Sequence, residues 1–548
     1  SILLLFSCSK PCTIANCDLT IFEARKITCK NKKIFKIKYI MREAIKFTCI
    51  ALLIIIVITC VSIWPIYGFS TLGILIFGLG IHDITQKKHA ILRNFPVLGH
   101  MRFLLELIGP EIHQYFIESD TDGKPINKNH RSYIYERAKL ERETHPFGTE
   151  INVEEEGYKW LQHSIYAAKQ LEEPPRVLVG GPDCKQPYSA SIFNISAMSF
   201  GALSKNAIMA LNIGAKAGNF FHDTGEGGIS EYHRKGGDLV YEIGTGYFGC
   251  RTEDGHFSAE KLKEKAAFPE VKMIEIKISQ GAKPGHGGVL PAAKNNEEIA
   301  AIRGVQPHTD VISPPSHSAF RNAKELCAWI QQLRDLSMGK PIGFKLCIGN
   351  KKEFIDICEA MIETGIKPDF ITVDGGEGGT GAAPIDFSNY VGMPWEKAMI
   401  FVVDTLNGYG LKKDIKVFTA TKIFTAFDIF KAFCIGADIC SSARGMMLAL
   451  GCIQAIRCDT NKCPTGVTSS NPKFMRGLVV EDKWKRVKNY QHETINDFLE
   501  LFAGAGCTEL SQLNRSFIHK KVGDEIKSYE ELYPSVIENS LLKMNNAE

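Results

Sequence analysis

Three cysteines lie close together towards the C-terminal end of the chain, at Cys452, Cys458 and Cys463, and Pro464 follows the last of them. Three thiolates on one short loop, with a proline after the last, are typical of an iron–sulfur cluster. Structural zinc normally has four ligands, often in Cys-x-x-Cys pairs, and this loop has neither feature. The three thiols match a cluster of three irons. The alternative is that they are ordinary core cysteines, because the chain contains 17 cysteines.

A glycine-rich run, Asp374-Gly-Gly-Glu-Gly-Gly-Thr-Gly-Ala-Ala-Pro384, follows a segment with strand character. Five of its first eight residues are glycine, and a backbone without Cβ atoms lets N–H groups approach a ligand closely. A phosphate or the edge of a flavin ring would suit this loop, and a flexible turn is the alternative. A shorter run of the same kind is Thr224-Gly-Glu-Gly-Gly228.

A third segment, Lys277-Ile-Ser-Gln-Gly-Ala-Lys-Pro-Gly-His-Gly-Gly288, combines cations, an amide and glycines after another strand-like run. The ammonium groups of Lys277 and Lys283 and the amide of Gln280 would converge on one mouth and bind an anionic substrate such as a dicarboxylate. Arg303, further along, could add a bidentate carboxylate contact. Taken singly, each lysine is more often a solvated surface charge.

The run Gly244-Thr-Gly-Tyr-Phe-Gly249 fits the G-x-G-x-x-G pattern of dinucleotide-binding proteins. That pattern must open an apolar helix inside a βαβ unit, whereas Cys-Arg-Thr-Glu-Asp-Gly follows here. We therefore interpret it as a loop and expect no nicotinamide site.

Strand-like and helical segments alternate after Pro174-Pro175, which predicts repeated βα units around a parallel sheet. Eight units in this length fit an α/β fold of the (β/α)8 TIM-barrel type, with a doubly wound sheet as the alternative. The unusual polar residues follow strand ends, where barrel enzymes build their sites. The predicted strands are Ile192–Ser196, Asn219–His222, Met273–Ile278, Asp310–Ser313, Ile342–Cys347, Phe370–Asp374, Lys416–Ala420 and Asp438–Ser442. The predicted helices include Ser204–Ala217, Ala323–Leu336, Lys351–Thr364 and Thr425–Ile435.

Composition excludes some classes of protein. The 548 residues, 45% of them hydrophobic and 23% charged, are enough for one large globular domain with additions. A formal charge of +4 is too slight at this length to favour nucleic acid. The odd number of cysteines, scattered through apolar stretches, favours a reducing compartment.

The N-terminal region predicts a membrane anchor. The run from Phe47 to Trp64 is apolar and uncharged, and a second run extends from Phe69 to Ile81. Basic residues flank both outer ends, which favours a transmembrane helical hairpin over 41–88 with both ends in the cytoplasm. One transmembrane helix followed by a buried or interfacial segment is the alternative. We expect a bacterial inner-membrane protein whose catalytic domain is cytoplasmic.

The rest of the chain is divided into four further segments. Residues 1–40 are interpreted as a non-native or disordered extension, because Met41 follows a stretch with no structural pattern. Residues 89–175 are predicted to be a linker or cap, 176–515 the barrel with its iron–sulfur loop, and 516–548 a C-terminal tail.

Six ordered motifs together resemble the FMN-binding synthase domain of glutamate synthase, over residues 140–515. The closest likeness is to the shorter, membrane-associated group called FMN-binding glutamate synthase family proteins. The motifs are Ser196-Ala-Met-Ser-Phe-Gly-Ala-Leu-Ser204, Thr224–Gly228, Lys277–Gly288, Ile312-Ser-Pro-Pro-Ser-His317, Asp374–Pro384 and Gly451–Val467.

This resemblance implies a (β/α)8 barrel that holds FMN and a 3Fe-4S cluster. In the family, ammonia condenses with 2-oxoglutarate to 2-iminoglutarate, and reduced FMN passes a hydride to the imine carbon. The implied catalytic residues are Glu226, Gln280 and Lys283. The implied substrate-binding residues are Lys277, Gln280, Lys283 and Arg303, and the implied cluster ligands are Cys452, Cys458 and Cys463.

The implied FMN contacts lie on three loops and one strand. They are Ser196, Ala197, Met198, Ser199, Gly201, Asp374, Gly378, Gly379, Gly381 and Lys422. Lys345, at a strand end, is added as a cation near the flavin N1 and O2, where reduction places negative charge.

The chain departs from the family pattern at two positions. Val289 stands where the large enzymes have glutamine, and Thr421 stands where relatives carry a small residue. A β-branched residue at 421 is expected to crowd the flavin phosphate or alter its donors.

The expected partners are ammonia, either free or from a glutaminase, and an electron donor such as ferredoxin or a reductase subunit. Two alternative functions stay open. One is related amino-group chemistry such as N-methylglutamate synthesis, and the other is a non-catalytic membrane flavoprotein that relays electrons.

Overall fold

The computed structural model describes residues 65–142 and 144–545. The chain divides into two units, which meet in the sequence at Glu118 and Ser119.

The described part of the first unit is helical. It contains α1 (Pro65–Thr85), α2 (Ala90–Asn94) and α3 (Gly99–Ile112), followed by a π-helical turn at His113–Ile117. The buried carboxylate of Asp83 on α1 accepts a hydrogen bond from the Val97 N–H at 2.8 Å and lies 3.0 Å from the His100 Nε2. These contacts fix α1 against the start of α3.

The predicted membrane anchor falls only partly within the described residues. The run Phe47–Trp64 lies outside them, and the run Phe69–Ile81 lies within α1. Among the described residues, every helix is too short or too polar to span a bilayer. The helical hairpin therefore stays a prediction, as does the extension assigned to residues 1–40, which also lies outside the described residues.

The second unit contains all the strands of the described chain. In chain order the strands are β1 (Lys159–Leu161), β2 (Arg176–Val179), β3 (Tyr188–Ser191), β4 (Phe193–Ile195), β5 (His222–Asp223), β6 (Leu239–Ile243), β7 (Val271–Lys277), β8 (Val289–Leu290), β9 (Val311–Ile312), β10 (Ile342–Cys347), β11 (Phe370–Asp374), β12 (Lys416–Thr419), β13 (Ile439–Ser442), β14 (Ile518–Val522) and β15 (Glu525–Ser528).

Helices lie between most of these strands, before β1 and after β15. They are α4 (Lys128–Lys139), α5 (Lys205–Gly218), α6 (Ala259–Ala266), α7 (Glu297–Arg303), α8 (Ala323–Leu336), α9 (Lys351–Thr364), α10 (Ile385–Tyr390), α11 (Trp395–Gly408), α12 (Ala426–Ile435), α13 (Arg444–Leu450), α14 (Pro472–Met475), α15 (Val480–Gly504), α16 (Tyr529–Leu532) and α17 (Ser540–Asn545). Two 3-10 turns lie at Leu510–Gln512 and Arg515–Phe517.

Eight parallel strands close into a barrel, in the order β4-β5-β6-β7-β10-β11-β12-β13. The last strand pairs with the first, so that Cys440 lies opposite Phe193. The predicted (β/α)8 barrel is therefore confirmed, and the doubly wound alternative is excluded for this unit.

Seven of the eight predicted strands overlap barrel strands, and one was wrong. The segment Asp310–Ser313 contains β9, which pairs antiparallel with β8 outside the barrel. The missing barrel strand is β6, whose sequence Leu-Val-Tyr-Glu-Ile places Glu242 in the barrel interior. Glu242 interrupts the short apolar run of β6, so the sequence did not predict a strand there. The Val-Ile pair of β9 has the apolar character of a barrel strand, although it lies outside the barrel.

The predicted helices agree closely with the structure because their capping residues are explicit in the sequence. Ser204 precedes α5 and its hydroxyl accepts a hydrogen bond from the Ala207 N–H. Thr425 and Asp428 form a reciprocal capping box at the start of α12. Such caps satisfy N–H groups that have no partner inside the helix.

The barrel interior changes character from one end to the other. Near the N-terminal ends of the strands it is apolar, and the β2–β3 hairpin closes it there. Side chains of alternate residues face inwards, so the positions two residues further along form the next layer. The apolar cluster is Val179, Ala190, Phe221, Val240, Met273, Phe370, Phe418 and Ile439. The next layer is polar and contains Asp223, Glu242, Glu275, Lys345 and Thr372.

Segments outside the barrel complete the second unit. The segment assigned as a C-terminal tail contributes β14 and β15, which form a three-stranded sheet with β1. On another side, α4 packs on α15, where the hydroxyl of Tyr133 donates to Asp497 at 2.6 Å.

Candidate functional site

The lysine-containing loop leaves the barrel at the C-terminal end of β7. Lys277 is the last residue of that strand, and its ammonium lies 3.0 Å from the Glu226 carboxylate. Glu226 belongs to the glycine-containing loop after β5. Two of the predicted site residues, from neighbouring strand ends, therefore form a direct ion pair.

Glu226 is surrounded by positive charge. Burial alone would raise the pKa of its carboxyl, but Lys277, Lys283 and Arg303 together lower that pKa to about 2. A Cβ on Gly288 would lie 2.3 Å from the Glu226 Oε1, so a larger residue there would displace the carboxylate. The structure thus brings four predicted charged residues together around one point of the barrel mouth.

Lys283 lies at the contact between the lysine loop and the glycine-rich loop. Its side chain is only 4% exposed, and its Nζ donates to the Ala382 carbonyl at 3.0 Å. Burial, and then the positive charge of Lys277, lower the pKa of Lys283 to about 8. Gln280 faces the same loop, with its Nε2 3.4 Å from the Gly379 carbonyl.

Arg303 ends α7 and is buried beneath the loop that follows β4. Its Nη2 donates to the Ser199 hydroxyl at 3.3 Å and to the Phe200 carbonyl at 3.2 Å. Its Nε has no hydrogen-bond partner among the described residues. A buried guanidinium with an unsatisfied donor fits an anionic ligand.

The loop after β4 passes close to the loop after β5. The Ser196 N–H donates to the Ser442 carbonyl at 3.2 Å, and the Met198 N–H to the Asp223 carbonyl at 3.4 Å. A Cβ on Gly225 would lie 2.6 Å from the Ser199 nitrogen. Ser196, Ala197, Met198 and Ser199 are thus held over the strand ends, and Gly201 (φ 97°) ends the turn.

Asp374 joins the glycine-rich loop to the lysine loop. Its Oδ2 accepts a hydrogen bond from the Gly281 N–H at 2.8 Å, and its Oδ1 accepts one from the Thr421 hydroxyl. The Thr421 oxygen also accepts a bond from the Gly375 N–H at 2.6 Å. Thr421 is buried and fixes the start of the glycine-rich loop, a role that the expected crowding did not anticipate.

A cationic pair lies beside the glycine-rich loop, and the sequence interpretation found only one member of it. Lys422 follows β12 with a left-handed backbone (φ 51°). Arg444, two residues after β13, donates from its Nη2 to the Glu377 carbonyl at 3.1 Å. A Cβ on Gly379 would lie 2.7 Å from the Arg444 Nε, whereas a Cβ on Gly381 would meet nothing within 4 Å.

Burial lowers the pKa of Arg444 despite the nearby carboxylates of Asp374 and Glu377. Burial, and then Arg444 itself, lower the pKa of Lys422. Two neighbouring cations beside a glycine-rich loop fit a phosphate. Arg444 lies two residues after the last barrel strand, but no glycine run or second cation marks it in the sequence.

Lys345 lies deeper than the sequence interpretation placed it. It occupies the polar layer of the barrel, where its ammonium forms ion pairs with Glu242 and, at 3.1 Å, with Glu275. Both carboxylates raise its pKa well above the ordinary value, although burial opposes them. Its charge is therefore already compensated within the protein, and contact with a flavin stays a prediction.

Asp223 completes the polar layer. Its carboxylate oxygens lie within 4.8 Å of those of Glu242 and Glu275. Burial, and then the charge of Glu242, raise the pKa of Asp223 well above its ordinary value. Burial also raises the pKa of Glu242, although the charge of Lys345 opposes this shift. The layer was missed in the sequence because β6 was missed.

The three cysteines of the predicted cluster lie on one loop after α13. Burial, and to a smaller extent the neighbouring Cys458 and Cys463, raise the pKa of Cys452 to about 12. The pKa of Cys463 is lowered in spite of burial by contacts with Thr465 and Thr468. The thiols are thus close enough to interact electrostatically, and their donor chemistry fits an iron–sulfur cluster.

Hydrogen bonds shape this loop from outside. The Gln454 N–H donates to the Cys452 Sγ at 3.4 Å, and the Tyr135 hydroxyl of α4 donates to the Cys452 carbonyl at 2.7 Å. A Cβ on Gly466 (φ 73°) would lie 2.4 Å from the Phe474 carbonyl oxygen. The loop is therefore held in one conformation by its own backbone and by α4.

The sequence of this chain is similar to those of several known proteins. A family model described as a conserved region in glutamate synthase matches residues 175–508. The glutamate synthase large subunit-like protein YerD of Bacillus subtilis is 36% identical over 485 residues, which cover 80% of this chain and 92% of YerD. The archaeal glutamate synthase (NADPH) of Methanocaldococcus jannaschii is 33% identical over 58% of this chain and 60% of its own length.

The large chain of glutamate synthase (NADPH) from Azospirillum brasilense is 30% identical over 58% of this chain, but only 20% of its own length is covered. This chain thus spans most of YerD and a smaller share of the other two relatives.

Proposed function

This chain belongs to the glutamate synthase family, and on that premise we propose that it is an FMN-dependent oxidoreductase that forms L-glutamate from 2-oxoglutarate and ammonia. The observation that carries the proposal is the convergence of Lys277, Lys283 and Arg303 around Glu226 beside the glycine-rich loop. Three cations in one partly buried mouth are suited to a dicarboxylate, which needs paired positive donors.

The residues at the mouth have distinct proposed roles. Lys277 and Arg303 orient the two carboxylates of the substrate, and Glu226 holds Lys277 in position. Lys283 adds a third positive charge for the carboxylates and is also the proposed proton donor, because its pKa of about 8 lies near the operating pH of most enzymes. Gln280 positions the substrate from the same loop.

FMN, when bound, would supply the hydride for the reduction. The loop residues Ser196–Gly201 and the glycines 378, 379 and 381 would hold its ring system and ribityl chain. Arg444 and Lys422 would bind its phosphate, with Asp374 and Thr421 fixing the loops around it. Binding of the phosphate would explain why Arg444 and Lys422 lie together, since no substrate role is proposed for either residue.

Cys452, Cys458 and Cys463 would hold a 3Fe-4S cluster, which supplies one-electron transfer between an external donor and the flavin. Ferredoxin or a reductase subunit is the proposed donor. The support for the cluster is the set of three interacting thiols on a loop that hydrogen bonds constrain.

The proposal is tested on the purified full-length protein. We expect a flavin absorption spectrum, stoichiometric FMN and about three irons per chain. Photoreduced protein, mixed without oxygen with 2-oxoglutarate and ammonia, should be reoxidised and should yield glutamate. A folded preparation without flavin would overturn the proposal. Reoxidation by 2-oxoglutarate with methylamine, but not with ammonia, would assign N-methylglutamate synthesis instead.

Attachment to a membrane is a separate part of the proposal, with the catalytic unit on the cytoplasmic side of a bacterial inner membrane. It is supported by the many large apolar side chains that α1 and α3 expose, such as Phe77, Leu104 and Leu105. Burying apolar surface in lipid is favourable at about 25 cal/mol per Å². The full chain should float with lipid vesicles and resist extraction by alkaline carbonate, and recovery in the wash would contradict attachment.

A further inference from the structure

Lys294 is a buried lysine for which neither the substrate nor the flavin provides a role. It lies in the turn between β8 and α7 and is only 3% exposed. A lysine is rarely buried unless its charge or its hydrogen bonds are satisfied. Its surroundings therefore indicate what it does.

The ammonium of Lys294 joins two loops that come from different parts of the barrel. Its Nζ donates to the Ala202 carbonyl at 2.5 Å and to the Cys458 carbonyl at 3.1 Å. Ala202 continues the loop after β4 that is proposed to hold the flavin. Cys458 is the middle thiol of the cluster loop. One side chain thus connects the two proposed cofactor sites.

A hydrogen bond to Ala293, the residue before Lys294, reinforces this connection. The Asn461 side chain, on the cluster loop, donates from its Nδ2 to the Ala293 carbonyl at 2.6 Å. Asn461 is in turn held by the hydroxyl of Ser469, which donates to its carbonyl at 2.8 Å. The turn that carries Lys294 is therefore fixed to the cluster loop at two points.

The charge of Lys294 has no ion-pair partner among the described residues, because both of its hydrogen-bond acceptors are carbonyl oxygens. Burial and the charge of Arg303 lower the pKa of Lys294 to about 8, whereas Cys458, Cys463 and the Asp459 carboxylate favour its charged form. An ammonium has three N–H donors, and the two carbonyls use two of them. A buried cation with a spare donor beside thiol ligands is suited to an anionic cluster.

We propose that Lys294 is a positioning residue that fixes the cluster loop to the flavin loop and raises the reduction potential of the cluster. This inference rests on the proposed cluster. Net charge and hydrogen bonding around an iron–sulfur cluster set its potential. A positive charge at the cluster stabilises the reduced form, which carries one more negative charge than the oxidised form, and so makes the cluster easier to reduce.

The test is a redox titration of the full-length holoprotein, followed by the electron paramagnetic resonance signal of the oxidised cluster. Lys294→Gln removes the charge but keeps an amide donor, and Lys294→Met removes both. We expect the equilibrium constant for cluster reduction to fall about tenfold in both variants, a shift of about 59 mV to lower potential for one electron. Lys294→Arg should keep the potential close to that of the unaltered protein.

Lys340 provides the matched control. It is also a buried lysine whose ammonium donates to carbonyl oxygens, those of Ala266 and Val271, but it lies at the opposite end of the barrel. Lys340→Met should leave the cluster potential unchanged, even if it lowers stability.

The outcomes separate the inference from the function on which it rests. Equal potentials in the unaltered, Lys294→Gln and Lys294→Met proteins, all with a full cluster, would overturn the role of Lys294 and leave the proposed function intact. A shift of the same size in Lys340→Met would show a general effect of lost packing and would also overturn it. An unaltered protein that holds flavin but no iron would remove the cluster, and the inference with it.

Discussion

The charged residues at the barrel mouth differ in whether they can change protonation near neutral pH. Glu226, with a pKa of about 2, stays ionised throughout the working range. Lys283 has a pKa of about 8, because burial and the positive charge of Lys277 both disfavour its charged form. Lys283 is therefore the group at this site that should give the enzyme a pH dependence between pH 7 and 9.

The first prediction concerns that pH dependence. Below pH 8, Lys283 is protonated and attracts the substrate carboxylates. As the pH rises through 8, the charge is lost, and the dissociation constant for 2-oxoglutarate should rise by up to about tenfold per pH unit. Lys283→Arg should bind the substrate without this dependence, since arginine stays charged, although it no longer donates a proton near neutral pH. Equilibrium binding of 2-oxoglutarate to the oxidised holoprotein from pH 6 to 10, followed by the flavin absorption, measures both proteins, and a parallel rise of the dissociation constant in both would exclude Lys283 as the titrating group.

The second prediction concerns Arg444. If its guanidinium binds the flavin phosphate, Arg444→Met should raise the FMN dissociation constant about 10- to 100-fold, as expected for a lost charged hydrogen bond of about 1.5–3 kcal/mol. Titration of the flavin-free protein with FMN, followed by flavin fluorescence, measures it. Arg476→Met is the control, because Arg476 is exposed beyond α14. Equal affinities in the two variants would contradict phosphate binding by Arg444.

Individual site residues could be predicted where glycines or repeated cations marked them. Glu226, Lys277 and Lys283 stood in such runs, and the structure brings them together. Arg444 and Lys294 are single charges in unremarkable sequence, and only the three-dimensional contacts reveal them. What distinguishes these two residues is the burial of their side chains. A single sequence does not reveal whether a lone charged residue is buried.

At the scale of elements, the eight-strand barrel was predictable and its charged interior was not. Apolar runs preceded by helix-capping residues predicted both ends of α8 and α9 correctly to the residue. β6 was missed because Glu242 interrupts its apolar run, and the interaction that makes Glu242 tolerable comes from Lys345 on β10, more than a hundred residues later. A long-range ion pair of this kind has no local signature in the sequence.

The third prediction follows from that ion pair. Lys345→Met would leave Glu242 and Glu275 buried without their cation, which should cost about 3–5 kcal/mol of unfolding free energy. The double variant Glu242→Gln, Lys345→Met should recover part of the loss, because one buried charge is removed. The midpoint of thermal or urea unfolding measures the effect.

The control for this pair is Lys352, which forms an exposed i,i+4 ion pair with Asp356 on α9. Lys352→Met should change the unfolding free energy by no more than about 0.5 kcal/mol. If Lys345→Met were equally mild, the polar layer would not depend on its buried cation.

At the scale of the whole molecule, every candidate site residue lies in the unit that begins at Ser119. The sequence placed the barrel domain at 176–515, with 89–175 as a linker or cap. The structure assigns residues 119–175 to the same unit as the barrel. It also ties the segment before α4 to the cluster loop, where Gln454 exchanges hydrogen bonds with the backbone of Ile126 in both directions.

The fourth prediction compares two truncations that differ only in this segment. Residues 119–548 keep α4 and its contacts with α15 and the cluster loop, so this truncation should fold and bind FMN and iron at the stoichiometry of the full chain. Residues 176–548 lose the Tyr135 hydroxyl that holds the Cys452 carbonyl, and they expose the face of α15 that α4 covers. This shorter form should aggregate or lose its iron before its flavin. Iron and FMN analysis of both truncations beside the full-length protein measures the difference, and a 176–548 form with full iron content would show that α4 is dispensable for the cluster loop.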